Sequence, residues 1–522
     1  MNRTILSLIC ILTFVPVGLA AYKDYQGPNG NLNVAGNWYV IADPGDPASR
    51  TGATGLPGLG DYAYIRNTTT TTLNSSIDCM QFLVGGPAIT TVPSQTMTTV
   101  NILTGADLFV TRRAGPPIDP DWAYFGIGGP YPGTVNMSGG QVDIDGAAGC
   151  LFRIGATAIP VLAGEAVGTG VLNMSGGTIN VGSATNTNAE MLVGGWANST
   201  GTLNMTGGSI IVWATPSSAR TIRVACRNGI GDVSLSGSAY LYTGAMVEVG
   251  GGYGDARSKG TLTQTGGRLE YDYRLLVGEE QGIGHYKLTG GTLQMDGDFW
   301  LGRFKSPELN PGDFVGCGKL TLSQDAVIQG ASILMGISWT GEARHSDHTR
   351  IELKLASDAD FQASIGGADL CGGLEVSLTG GYAPAPGTDW KVFATTNVNA
   401  PGVSWDKISK GFHTEVRGAA GAYDVYLVCD GLRHGGDANN DGFVNVGDLG
   451  ILAGNWQQVD FFGKSWEQGD FTGDDIVNVG DLGVLAGAWG WTGTPVPGAP
   501  VPEPASLTLL ALGALAMLRR RR

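Results

Sequence analysis

Charge is scarce in this sequence: Asp, Glu, Lys and Arg together make 15 % of 522 residues, and histidine occurs five times. The formal charge is −15, and five of the 31 basic residues, Arg3 and Arg519 to Arg522, sit in terminal segments. The body between them is therefore more acidic still, and it carries no basic stripe interleaved with aromatics. Such a surface repels phosphate backbones, so nucleic acid is not an expected partner. The sequence also lacks a G-x-S-x-G elbow, an H-E-x-x-H zinc motif and a phosphate loop, and no catalytic residue is assigned. Long apolar runs are missing too. Leu507 to Leu518 covers roughly 18 Å as a helix, short of the ~30 Å hydrocarbon core.

Glycine is abundant instead, with 85 residues, more than twice the ~7 % typical of globular chains. It shows no three-residue period, and glycine plus proline stay below the low-complexity range, which excludes collagen and wholesale disorder. With many Ser, Thr and Asn, this composition predicts short strands joined by tight turns and disfavours helix-rich folds.

Both ends read as processing signals. Residues 1–20 combine Arg3, an apolar stretch from Ile5 to Val17 and the small residues Gly18 and Ala20, the pattern of a cleaved export signal. At the other end a Pro-rich linker, 492–504, precedes Val501-Pro502-Glu503-Pro504, the short apolar run and the four arginines. Residues 499–522 resemble the PEP-CTERM signals processed by exosortases. That resemblance implies an exported protein with transient membrane contact through this tail, placed at the cell surface, the outer membrane or the extracellular matrix.

Internal repetition dominates residues 79–340. Units such as GTVNMSGGQVDI from Gly133, GVLNMSGGTINV from Gly170 and GTLNMTGGSIIV from Gly201 recur with starts 24 to 37 residues apart, through GKLTLSQDAVIQ from Gly318. Each is followed by an apolar-x-apolar-Gly signature, as in Met191/Val193-Gly194; one copy has Ala225 in place of the glycine. In the unit from Gly170, Leu172 and Met174 alternate with polar residues, Gly176-Gly177 breaks the strand, and Ile179 and Val181 alternate again. Three one-sided strands per repeat cannot bury their inner face alone, but stacked coils can. A parallel β-helix of about eight coils, roughly 40 Å long at ~4.8 Å per coil, is predicted. The units resemble repeats shared by autotransporter passengers and PEP-CTERM proteins, a likeness that implies shape and transfers no active site.

The flanks are expected to cap this rod: residues 21–78 at one end, and a β-sandwich-like cap over 341–432 at the other. Export permits disulfides among the six cysteines after Cys10; Cys371 and Cys429 are a candidate pair, whereas Cys150 and Cys226 read as buried thiols. Asp143 with Asp145, and Asp296 with Asp298, read as solvated strand ends. Glu342, His345, Asp347 and His348 read as a polar linker.

One motif carries specific chemistry. DANNDGFVNVGD places Asp437, Asn439, Asp441, the Phe443 carbonyl, Asn445 and Asp448 at the ligand spacing of an EF-hand loop, with Gly442 at the sharp turn; hard oxygens at alternating loop positions suit Ca²⁺. DFTGDDIVNVGD repeats it with Asp470, Thr472, Asp474, the Ile476 carbonyl, Asn478 and Asp481. Here position six is Asp475, which takes positive φ at roughly 1 kcal/mol, so this second of two calcium sites is expected to be the weaker. Each loop runs into a helix predicted to align Leu449, Leu452 and Trp456, or Leu482, Leu485 and Trp489, on one face. Residues 433–491 thereby resemble a type I dockerin. The resemblance implies a small α-helical calcium-binding domain that engages a cohesin-like module through Val446, Gly447, Val479 and Gly480. The expected function is a non-enzymatic surface or matrix rod with this interaction module. The alternative is a polysaccharide-active hydrolase or lyase, or a glycan-binding adhesin, recruited to an assembly through its dockerin-like domain, with an extracellular polysaccharide as a further partner.

Overall fold

The computed structural model describes the chain from Tyr22 to Gly493 apart from intervening segments, the longest being 85–97, 304–316 and 337–348. The export signal 1–20, the sorting segment 499–522, most of the linker and the His345/His348 stretch lie outside the described residues.

The repeat folds as its alternation dictates. Thr169–Met174 and Thr178–Val181 are strands whose side chains alternate between half-exposed and buried, with Leu172, Met174, Ile179 and Val181 at 0–1 % exposure. The next coil supplies Thr200–Met205 and Ser209–Val212, paired in parallel register so that Leu172 meets Leu203, Met174 meets Met205 and Ile179 meets Ile210. A third column stacks Gly149–Ile154, Ala189–Gly195, Ile222–Cys226 and Met246–Gly251, also in parallel. Each repeat position thus lies on its own copy, and like packs on like: the Phe125 ring stands 5.7 Å from Phe82 and 5.2 Å from Phe152. The protein is mainly β, a parallel β-solenoid around one continuous apolar core.

The glycine of the second signature is a steric requirement. Gly194 has φ +70°, and a Cβ there would stand 1.8 Å from the Ile230 carbonyl oxygen of the next coil. In the deviant copy Ala225 adopts φ +65° in the same left-handed corner, which costs an L-residue roughly 1–2 kcal/mol.

Three expectations about the flanks are corrected. First, no β-sandwich separates 341–432 from the rod. Thr349–Leu355 pairs in parallel with Cys317–Ser323, Ala368–Leu378 extends both that column and the one containing Ile333–Met335, and Val398–Ile408 lies parallel on 368–378. The recognisable repeat fades there, but Ile351, Leu353 and Leu355 still deliver the inward apolar set, and that set is what coil stacking needs. Among the described residues of 341–432, only the last strands turn antiparallel, where Ala422–Cys429 pairs with both Asp389–Thr395 and Phe412–Ala419. Secondly, the stack begins before residue 79: Tyr62–Ile65 pairs in parallel with Gln81–Val84, and Tyr22–Tyr25 lies parallel on 62–65. The rod is accordingly longer than eight coils. Thirdly, Cys371 and Cys429 are not joined: all six described cysteines are buried thiols, and these two donate to the Met335 and Gly431 carbonyls. Cys150 lies in the main core, and Cys226 forms a separate small cluster with Leu192.

Candidate metal centre

The rod is followed by two short helices, α1 (Val446–Gly454) and α2 (Val479–Gly487), each started by one of the two acidic loops. Local sequence explains their starts. Asn445 and Asn478 are N-caps, accepting from the Gly447 and Gly480 amides at 2.7 Å. Asp448 and Asp481, three residues on, close the capping box by accepting from the Asn445 and Asn478 amides at 2.9 and 2.8 Å. Orphan amide donors at the helix start are satisfied in this way.

The same two carboxylates reach back to the loop entrance. Asp448 Oδ1 accepts from the Ala438 and Asn439 amides at 2.8 and 3.3 Å; Asp481 Oδ1 accepts from Phe471 and Thr472 at 2.8 and 2.9 Å. At loop position one, Asp437 accepts from the Asp441 and Gly442 amides, and Asp470 from Gly473 and Asp475. Asp441 and Asp474 accept from the amides two residues on, Phe443 and Ile476. Asn439 stands against Asp441, and Asn478 donates to Asp474 and to the Ile476 carbonyl. The structure therefore gathers both predicted ligand sets into two tight loops. In the second, carboxylate oxygens of Asp470, Asp474 and Asp481 all lie within 4.8 Å of one another, the one such grouping among the described residues.

Charge on the first and last acids of each loop is poorly compensated. Asp437, Asp448, Asp470 and Asp481 are almost completely buried, and among the described residues no lysine or arginine pairs with them. Burial pushes the Asp437 carboxyl up to about 6 and Asp470 to about 7, with neighbouring carboxylates adding to the shift. Burial raises Asp448 as well. A dehydrated carboxylate is stabilised by a cation or by a proton. The residues present fit a hard divalent cation in donor type, with Asp and Asn side-chain oxygens at alternating positions.

The predicted partner-facing residues Val446, Gly447, Val479 and Gly480 are all exposed, Val479 at 74 %. Of the predicted helix faces, Leu452 and Leu485 are buried and Leu449 and Leu482 pack partly against the core. Trp456 and Trp489 do not join them. Both helices end before the tryptophans, which stand 38 % and 51 % exposed past the last turn. The aromatic that holds the two segments together is one the helix pattern missed. Trp466, in a 3₁₀ turn, is buried, packs edge-on to Phe471 at 5.2 Å and donates its indole N–H to the Asp437 carbonyl. The module closes on itself through His434 stacked on Trp491 at 4.4 Å and the Val444 amide bound to the Trp491 carbonyl.

Sequence reasoning also treated Asp475 only as an irregularity at position six. It has φ +72°, and its carboxylate reaches across to the rod, 2.5 Å from Lys287 Nζ and 2.8 Å from Lys319 Nζ. Although burial pushes this carboxyl upward, Lys319, His285 and Lys287 hold it well below the usual carboxylate range. The departure from glycine was the available signal, but the lysines lie more than 150 residues away in sequence.

Of the other carboxylates noted on the rod, Asp143 and Asp145 are held by neutral amide donors. Asp143 accepts from Gln141 and Asn180, and Asp145 from Asn186. On an adjoining face Asn204, Asn173, Asn136 and Asn101 form a ladder, each amide donating to the next at 2.9 Å.

A family model described as a PEP-CTERM protein-sorting motif matches residues 500–522. The chain is an exported protein sorted at the cell envelope by the exosortase route. No curated protein and no solved structure matches it.

Proposed function

We propose that this protein is a non-enzymatic scaffold of the cell surface or extracellular matrix, in which a β-solenoid rod carries a calcium-dependent, dockerin-like protein-interaction module. The observation that carries the reading is the duplicated loop–helix, with the same N-cap, the same capping box and the same buried acids in both copies. Asp437, Asn439, Asp441, the Phe443 carbonyl, Asn445 and Asp448 would hold one Ca²⁺, and Asp470, Thr472, Asp474, the Ile476 carbonyl, Asn478 and Asp481 a second. The metal would supply the positive charge that the buried acids at loop positions one and twelve lack, stabilising the folded module by mass action. The exposed starts of α1 and α2, at Val446-Gly447 and Val479-Gly480, then present the same apolar surface twice to a cohesin-like partner. Parts of the rod surface are occupied by an Asn ladder, by amide-bound Asp143 and Asp145, and by a cluster of mutually paired charges, Arg153, Glu190, Arg223 and Glu248.

Calorimetric titration of the intact chain with calcium tests this, with a stoichiometry near two expected. Replacing Asp437 and Asp441 together by Ala should bring it near one. Incubation with pectins, alginates and sulfated polysaccharides should release no reducing ends. Absence of calcium uptake, or robust turnover lost on changing Asp143 or Asp145, would overturn the proposal.

A further inference from the structure

Outward positions along one column of the rod are open in the middle coils: Asp232 is exposed, and Thr202, Thr261 and His285 are half-buried. The next residue in that column is Lys319, only 1 % exposed, and beside it Thr321 and Glu352 are 1 % and 4 % exposed. This burial coincides with the seat of the second loop. Lys319 Nζ lies 2.8 Å from Asp475, 3.0 Å from Glu352 and 3.7 Å from Glu375. Lys287 pairs with the other Asp475 oxygen, and Lys354 donates to the Gly473 carbonyl. Loop positions four and six are therefore held by the rod. The same Asp475 donates its amide to Asp470 Oδ2 at 2.8 Å, and Asp470 is the first ligand position of that loop. One residue thus joins the acid cage to the rod on its two sides. This loop is also the one whose three acids are drawn together within 4.8 Å.

We infer that the second loop is a calcium-coupled latch, in which cation binding at Asp470, Asp474 and Asp481 and seating of Asp475 on Lys287 and Lys319 strengthen one another. The inference rests on the calcium reading above. Coupling between two binding events is reciprocal, so the seat raises calcium affinity by the factor by which calcium tightens the seat. Two charge-assisted contacts, one with a buried lysine, offset the left-handed backbone of Asp475. Position six is then an adaptation to the rod, and the second site in the intact chain is not the weaker one that its sequence suggests. A partner held on α1 and α2 is carried at a fixed orientation to the rod.

The sign of one substitution decides the matter. If Asp475 were merely strained, Asp475→Gly would restore the usual residue and tighten the second site. The latch requires the opposite: a loss of about tenfold in second-site affinity, within the usual range of coupling factors, with the first site unchanged. Lys287→Met, which leaves the loop sequence intact, should weaken the same site by about threefold, the size expected for a partly exposed pair. Both are read by calorimetric titration of the intact chain with calcium. Seating is read separately by acylating lysines and locating the label by mass spectrometry. Lys319 should be protected in calcium, labelled in chelator, and labelled in Asp475→Gly even with calcium present. A tightened second site in Asp475→Gly, or protection of Lys319 indifferent to calcium, overturns the latch while leaving the metal reading standing. A wild-type chain that takes up no calcium overturns that reading and the latch with it.

Discussion

The loop from Asp437 and the loop from Asp470 run into their helices through the same seven residues, VNVGDLG, and build the same cap, yet their surroundings differ. The first turns through Gly442 at φ +83° and is tied within the module by Trp466. The second turns through Asp475 at φ +72° and is tied to the rod. Local sequence sets the cage, and the neighbour against which a loop packs sets what its sixth position must be.

The largest expected effect comes from breaking what the two loops share. Trp466→Ala removes a buried indole that touches both, and should destabilise the module by about 3–5 kcal/mol, seen in denaturant unfolding as early loss of helical signal. It should act on both calcium sites at once, unlike any change within one loop.

Proton linkage gives the next effect. The folded pKa values of Asp437 and Asp470, about 6 and about 7, lie above the unfolded value near 4. Stability from these groups is fully present below the unfolded pKa and is lost as pH rises through the folded pKa. In chelator the module should therefore melt at a lower temperature at pH 7.5 than at pH 5. Saturating calcium should reverse that order, because the bound metal requires the carboxylates deprotonated. Thermal scans at the two pH values, with and without calcium, give the answer, and an unchanged order would deny the metal reading.

A smaller effect tests whether the shared part is truly shared. Asp448→Ala and Asp481→Ala each remove a capping-box acceptor that also ties the loop entrance, and each should cost about 1–2 kcal/mol in chelator. The two values should agree by chemical denaturation; a large discrepancy would mean that the rod supports even the helix start of the second loop.

The smallest effect concerns the rod's own exception. Ala225 occupies a left-handed corner where its homologous positions have glycine, so Ala225→Gly should stabilise the rod by about 0.5–1 kcal/mol, strain relief outweighing the added unfolded-state entropy. Gly194→Ala, with a carbonyl oxygen 1.8 Å from the new Cβ, should destabilise it. A denaturation midpoint that falls for Ala225→Gly would show that this corner has adapted to its methyl group.

Much of this was legible because the signals are local. The spacing of Leu172, Met174, Ile179 and Val181 announces the strands and the face they bury, and the spacing of Asp437 to Asp448 announces the cage and its helix. Residues 341–432 were misread because the repeat motif fades there while the inward apolar pattern persists, and stacking obeys the pattern. Trp456 and Trp489 were misread because an i, i+3, i+7 pattern says nothing about where a helix ends; the C-caps at Asn455 and Ala488 stop each helix first.

The sequence by itself determined the coil, because a solenoid needs only that each repeat present the same inward set to the next, a short-range periodic condition. It also determined the loop geometry, since caps and ligand positions are fixed by residues within twelve places of one another. Tertiary structure alone decided that Lys287, Lys319 and Lys354 meet Gly473 and Asp475. Those residues are brought together by how many coils precede them and by where the chain leaves the rod, and no local pattern encodes that sum.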